Sequence, residues 1–256
     1  MERTLKGNGA FEEYESEDRC TDCGRPIIMA KAFGISIRKM CACEEERQKA
    51  EREKYIRSGE AVIRSGMREH AGLLKKWRER TLASFHVKPG QEAAYEAASE
   101  FVKNFNGKNG ATGIIFSGAA GCGKTHLAAA IANAVIDTHF IYNADALRAG
   151  EFGIVQDDFT PVHFTNTVDL ITRIKSSFDS RDESTREIIK PYQKAWVTIL
   201  DDLGAENPTE FVRERLFEII DYRYSAELPL IITTNTTPAE LKKQIGGRNF
   251  DRIREV

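Results

Sequence analysis

The run Gly118-Ala119-Ala120-Gly121-Cys122-Gly123-Lys124-Thr125 has the spacing G-x-x-x-x-G-K-[ST]. Its glycines let the backbone curl until several N–H groups point at one anion, and the start of a following helix adds positive dipole. In that arrangement Lys124 reaches the β- and γ-phosphates of a nucleotide and Thr125 holds Mg²⁺. Farther along, Val197-Thr198-Ile199-Leu200 runs into Asp201-Asp202. An apolar strand ending in carboxylates brings Asp201 beside the phosphate loop to position the Mg²⁺ water shell, and leaves Asp202 to orient the water that attacks the γ-phosphate. Leu230-Ile231-Ile232-Thr233-Thr234 ends in Asn235 in the same way, which places Asn235 at the γ-phosphate or its water. A second chemistry sits near the start of the chain. Cys20 and Cys23 form C-x₂-C, Cys41 and Cys43 form C-x-C, and 17 residues separate the pairs. Four thiolates can close a tetrahedral Zn²⁺ shell, with unligated or redox-active thiols as the alternative.

These groups work only if strands and helices bring them together. Ile114-Ile115-Phe116 supplies a strand before the glycine run, and residues 127–136 supply a helix after it. A further strand is expected near 162–165, followed by a helix through Leu170, Ile171 and Ile174. Asn207 as cap, Pro208 at the first position and Glu210 in a capping box announce a helix with Val212, Leu216, Ile219 and Ile220 on its buried stripe. Thr237 caps the helix that starts at Pro238, and residues 91–105 form a helix with Ala94, Ala97, Ala98, Phe101 and Val102 on one face. Strands alternating with helices predict an α/β fold with a parallel sheet.

The rest of the chain reads as flanking structure. Residues 1–19 are expected as a flexible tail, 20–50 as the four-cysteine zinc-binding module, 51–88 as a charged helical linker, and 89–256 as the core. Ile35-Ser36-Ile37-Arg38 is expected as a short strand. Ser58-Gly59 and Ser65-Gly66 are expected to act as hinges between linker helices, and Trp77, Leu82 and Phe85 to pack onto the core. Residues 137–159 read as an insertion with no assigned structure, and the basic run from Gly246 to Arg254 as a solvated tail.

Composition narrows the class. The hydrophobic content of 41% is enough for a buried core, and 256 residues suit one core domain with a smaller appendage. Residues 1–88 carry 19 Lys+Arg against 15 Asp+Glu, and the remainder 18 against 24, a mild asymmetry that permits a nucleic-acid contact through the front segment without requiring one. No stretch approaches the roughly 18 apolar residues of a membrane span, and residues 1–19 are too polar and acidic for a signal peptide. A cytoplasmic protein with no membrane partner is expected, its cysteines held in a reducing compartment.

The order of phosphate loop, Asp201-Asp202-Leu203-Gly204-Ala205-Glu206, Thr233-Thr234-Asn235 and Asp251-Arg252-Ile253-Arg254 resembles the AAA+ ATPases of the DnaC/DnaI helicase-loader and IstB transposition-helper group. The similarity covers residues 80–256. The cysteine-bearing front, followed by Arg80-Thr81-Leu82-Ala83-Ser84-Phe85, looks more like the zinc-containing loaders than like IstB. The resemblance implies an AAA+ core of strand order 5-1-4-3-2 with ATP held at a subunit boundary. It makes residues 118–125 the Walker A loop, Asp201 and Asp202 Walker B, and Asn235 sensor 1. Arg252 becomes an arginine finger for a neighbour's γ-phosphate, with Arg248 assisting. It further implies weak ATP hydrolysis in the absence of partners, docking of the zinc module on a hexameric replicative helicase, and contact of the core with single-stranded DNA. Many AAA+ proteins carry Glu where Asp202 stands, and the family usually continues past residue 256 into a further strand. An IstB-like transposition helper, a nucleotide-binding adaptor with negligible turnover and a nucleotide kinase sharing only the phosphate loop are the alternatives, the Asp-Asp-Leu-Gly-Ala-Glu run counting against the last.

Overall fold

The computed structural model describes residues 3–7, 12–32, 35–106, 113–138, 161–177, 184–205 and 209–255. Two compact units divide at Ala61 and Val62. In the first, strands β1 (Arg3–Gly7), β2 (Glu12–Arg19), β3 (Pro26–Ala32) and β4 (Ile35–Arg38) form an antiparallel meander in that order. The tail expected over 1–19 therefore contains two strands. Alone, β2 is too polar to read as one, but its register sets Tyr14 opposite Met29 and Glu15 opposite Ile28, so β3 supplies the apolar partners. The short strand expected at Ile35 to Arg38 is present.

Helix α1 (Ala42–His70) continues unbroken through Ser58-Gly59 and Ser65-Gly66, so the expected hinges are absent. One interior Gly costs a helix only about 1 kcal/mol, and Arg and Glu lie near both. None of the residues of α1 is buried.

In the second unit, a 3₁₀ turn (Lys75–Trp77) leads to α2 (Glu92–Asn104), β5 (Ile114–Ser117), α3 (Lys124–Thr138), β6 (Val162–Asn166), α4 (Thr167–Ser176), α5 (Thr185–Lys194), β7 (Val197–Asp201), α6 (Glu210–Ser225), β8 (Leu230–Thr234), α7 (Pro238–Ile245) and α8 (Gly247–Glu255). The sheet is parallel, in the order β5-β8-β7-β6. That is the 1-4-3-2 portion of the AAA+ order, and no fifth parallel strand pairs with β5 among the described residues. Every residue of β7 and β8 is buried, as a parallel strand covered on both faces requires. Alternation sorts their side chains. Ile199 and Ile231 join Phe116, Leu127 and Ile131 in one cluster, whereas Leu200 and Ile232 join Leu170, Ile189, Leu216 and Ile220 in the other.

Local signals set several helix starts. Thr237, the expected cap, forms a capping box with Glu240 on α7, and Ser184 and Glu187 form another on α5. Thr209, not Asn207, caps α6, its hydroxyl accepting from Val212 N–H; Asn207 and Pro208 lie outside the described residues, as do 139–159 of the expected insertion. The basic run expected as a solvated tail is α8, anchored by buried Asn249, Phe250 and Ile253. Its charges hide an apolar spacing of three residues, which only a helix turns to one side.

Fully buried Arg223 on α6 ties the core together. Its Nη1 donates to the carbonyls of Tyr192, Gln193 and Ala195, and its Nη2 to those of Trp196 and Pro229. The segments entering β7 and β8 are fixed by this one side chain. Burial lowers its pKa to about 9, so it keeps its charge at neutral pH.

Candidate functional site

The parallel register puts Ser117 opposite Thr234 and Asn166 opposite Asp201, so the strands end along one rim. The glycine run turns there from β5 into α3. Gly123 has φ +91°, and a Cβ on it would lie 2.6 Å from Phe85 Cε2, so this position admits only glycine. Phe85 meets His126 edge-on at 5.2 Å, and Gln91 Nε2 donates to the Cys122 carbonyl at 2.8 Å. Trp77, Leu82 and Phe85 all pack against the core cluster, as their apolar character led one to expect.

A continuous polar network joins the residues singled out from the sequence. Lys124 Nζ donates to the carbonyls of Gly118 (2.8 Å) and Ala119 (2.9 Å) and to Asn235 Oδ1 (2.8 Å). Asn235 Nδ2 in turn donates to Asp202 Oδ1 at 2.5 Å. Asp202 adopts φ +58°, a left-handed conformation that Asp tolerates better than most residues, and its backbone N–H donates to Thr233 Oγ1 at 2.9 Å. The Thr233 hydroxyl donates to Asp201 Oδ1 at 2.7 Å. Asp201 is 8% exposed, and burial raises its pKa against the opposing hydrogen bonds from Thr233 and Thr125. The two carboxylates thus differ in setting. Asp201 is buried beside Thr125, while Asp202 extends the network toward Lys124.

These groups line a cleft of about 460 Å³, together with Trp77, Arg80, His126 and Asn166. Its converging donors, backbone curl and paired carboxylates suit a polyphosphate and a hard divalent cation. From sequence Trp77 is expected only to pack, and His126, Asn166 and Thr233 carry no assigned role there, yet all four line the cleft. Of these, Thr233 shows its role only in the fold, where its hydroxyl reaches Asp201 at the end of β7. Arg248 and Arg252 are not in the cleft lining of their own chain. Arg252 Nη2 meets Asp221 Oδ1 at 2.7 Å on α6.

In the first unit the four cysteines meet. Their sulfurs all lie within 4.8 Å of one another, with Cys20 to Cys43 and Cys23 to Cys41 each at 3.4 Å. Four sulfurs about 2.3 Å from one ion stand about 3.8 Å apart, so the cluster has the dimensions of a tetrahedral thiolate site. The backbone N–H groups of Cys23 and Asp22 lower the Cys20 thiol to about 7, whereas the thiols of Cys20 and Cys41 push Cys43 upward.

A family model described as IstB-like ATP binding protein matches residues 53–251. The chain belongs to this family. It is 27% identical over 165 residues to the replicative helicase loader DnaC of Escherichia coli strain K12, a match covering 64% of this chain and 58% of that protein. It is also 27% identical to the replicative helicase loader DnaI of Bacillus subtilis strain 168, over 60% of this chain and 43% of that protein. The chain thus spans about six-tenths or less of the length of these relatives. Among solved structures, a crystal structure of the DnaC helicase loader superposes with a TM-score of 0.57 at 30% identity, covering 71% of this chain and 96% of that one. The chain is a DnaC/DnaI/IstB-like protein with an α/β AAA+ core and an N-terminal four-cysteine cluster. No described helix is long and apolar enough to cross a membrane.

Proposed function

We propose that this protein is an ATP-hydrolysing helicase loader that grips a hexameric replicative helicase and single-stranded DNA according to its nucleotide state. The observation that carries the reading is the network from Lys124 through Asn235 to Asp202, and from Asp202 through Thr233 to Asp201, with Thr125 in the same cleft on the rim of an AAA+ sheet. Residues 118–125 hold the phosphates, Lys124 exchanging its bonds to Gly118, Ala119 and Asn235 for phosphate oxygens. Thr125 and Asp201 hold Mg²⁺, which when bound neutralises charge on the β- and γ-phosphates. Asp202 and Asn235 hold the attacking water, and Arg252 of a second copy reaches the γ-phosphate. Cys20, Cys23, Cys41 and Cys43 hold Zn²⁺, and the module they close docks on the helicase. A four-cysteine module in the first unit and an ATPase core in the second, in a cytoplasmic protein, complete the proposal.

Loading then works by population shift. ATP favours assembly because the contact from Arg252 exists only while a γ-phosphate is present, and hydrolysis removes it. The test is to mix the protein with a replicative helicase hexamer, with and without ATP, and to measure complex mass. The reading expects a complex whose stoichiometry or lifetime changes with nucleotide, and a protein that leaves the hexamer's mass unchanged under both conditions contradicts it. The family description favours a second reading, a transposition helper. That reading expects recovery of a transposase and tolerance to deletion of residues 1–50.

A further inference from the structure

Two arginines of α8 are seated on one stripe of α6. Phe217, Asp221 and Tyr224 are spaced i, i+4, i+7, so they share a face of α6, and Arg248 and Arg252, spaced i, i+4, share a face of α8. Arg248 Cζ lies 4.2 Å from the Phe217 ring centroid. Arg252 Cζ lies 5.5 Å from the Phe217 centroid and 4.8 Å from that of Tyr224, while its Nη2 meets Asp221 Oδ1 at 2.7 Å. The helix beneath is firmly set, since Asn249 Nδ2 donates to the carbonyls of Ile245 and Arg213, and Phe250 and Ile253 are buried.

We propose that Asp221 is a positioning residue for Arg252, fixing its guanidinium for delivery to the nucleotide of a second copy of this chain. The inference rests on the arginine-finger reading given above. An arginine side chain has many rotamers to lose, and a planar guanidinium acts on a phosphate only in a narrow range of orientations. Two aromatic rings and a carboxylate remove that freedom in advance. The ion pair is made through Nη2, one nitrogen of a group with five N–H donors, and the side chain is 24% exposed, which leaves capacity for phosphate oxygens. Asp221 thus acts through Arg252 and not on the nucleotide itself. Preorganisation of this kind affects the rate of the assembled site and leaves that site's own affinity for nucleotide alone.

Mixed assemblies test this. Acceptor protomers carry Arg252→Ala with an intact phosphate loop, and donors carry Lys124→Ala, which silences their own site but leaves Arg252. With helicase and single-stranded DNA present, the donor is expected to raise acceptor turnover about tenfold or more. A Lys124→Ala/Asp221→Ala donor, matched for incorporation and melting temperature, is expected to give a rescue lower by about fivefold or more, confined to kcat. Asp221→Glu in the same donor should recover part of the loss, and Asp221→Asn serves where the Ala variant does not fold. A donor lacking the Asp221 carboxylate that rescues as well as its parent, or better, overturns the inference while leaving the finger reading intact. Arg252→Ala acceptors that need no donor overturn the finger reading itself.

Discussion

Asn235→Ala separates binding from hydrolysis, because the side chain removed bridges one group assigned to each. Its Oδ1 accepts from Lys124 and its Nδ2 donates to Asp202. Both partners are charged, and such hydrogen bonds contribute about 1.5–3 kcal/mol each when buried. At this partly open rim the low end applies, and water can replace much of the loss, so the fold should weaken by only about 1–2 kcal/mol. Affinity for ATP should hold or improve slightly, because Lys124 no longer has to give up Asn235 before it meets phosphate. Turnover behaves differently. Loss of one preorganised polar group at the reacting centre costs about 10²–10³ in kcat. The assay pairs a titration with a fluorescent ATP analogue against steady-state phosphate release at saturating ATP, with helicase and DNA present. Affinity within about threefold of wild type and kcat reduced on the order of a hundredfold fit the reasoning. A kcat within threefold of wild type, or an affinity that falls in step with kcat, refutes it.

Asp201→Asn should raise the melting temperature of the nucleotide-free protein by about 2–4 °C, on the order of 1 kcal/mol, and abolish Mg²⁺-dependent turnover. The sign follows from the raised pKa of Asp201. Burial penalises its charged form in the folded state, so stability is lost as pH rises through the folded value, and the wild type should gain stability relative to the Asn variant as pH falls through that range. Thermal scans against pH check both; a lower melting temperature for the variant contradicts the account. Gly123→Ala should cost about 2 kcal/mol or more and lose nucleotide binding, because φ +91° is strained for Ala and its Cβ would strike Phe85. Calorimetry and an ATP titration are the checks, and wild-type values in both count against the placement of Phe85. Purified protein should carry one equivalent of zinc, and Cys20→Ser should lose most of it. Less than half an equivalent by elemental analysis, with no change in the variant, removes the metal assignment.

Much of the core was legible because its signals are local. The glycine spacing at 118–125, the apolar runs before Asp201-Asp202 and Asn235, and the Thr237 cap each specify a backbone shape within a few residues, and each stands where it was expected. Signals that depend on a partner were not legible. Strand β2 acquires its apolar environment from β3, and α8 was masked by charges that enclose a three-residue apolar spacing. The glycines of α1 misled for the opposite reason, since a weak local penalty is outweighed by a long run of helix formers. At the site, Lys124, Asp201, Asp202 and Asn235 each stand out in the sequence and meet in the fold, whereas the threonine that connects the carboxylates shows itself only in the fold.

A nucleoside triphosphate should occupy the cleft lined by Gly121, Lys124, Thr125, Asp201, Asp202 and Asn235. Trp77 lines that cleft and Trp196 does not, so titrating the wild type and a Trp196→Phe variant with a non-hydrolysable ATP analogue and Mg²⁺, while following tryptophan fluorescence, reads occupancy directly. A saturable change from Trp77 that is absent in Lys124→Ala is the predicted result. A flat trace into the millimolar range, or an equal response from Lys124→Ala, contradicts it.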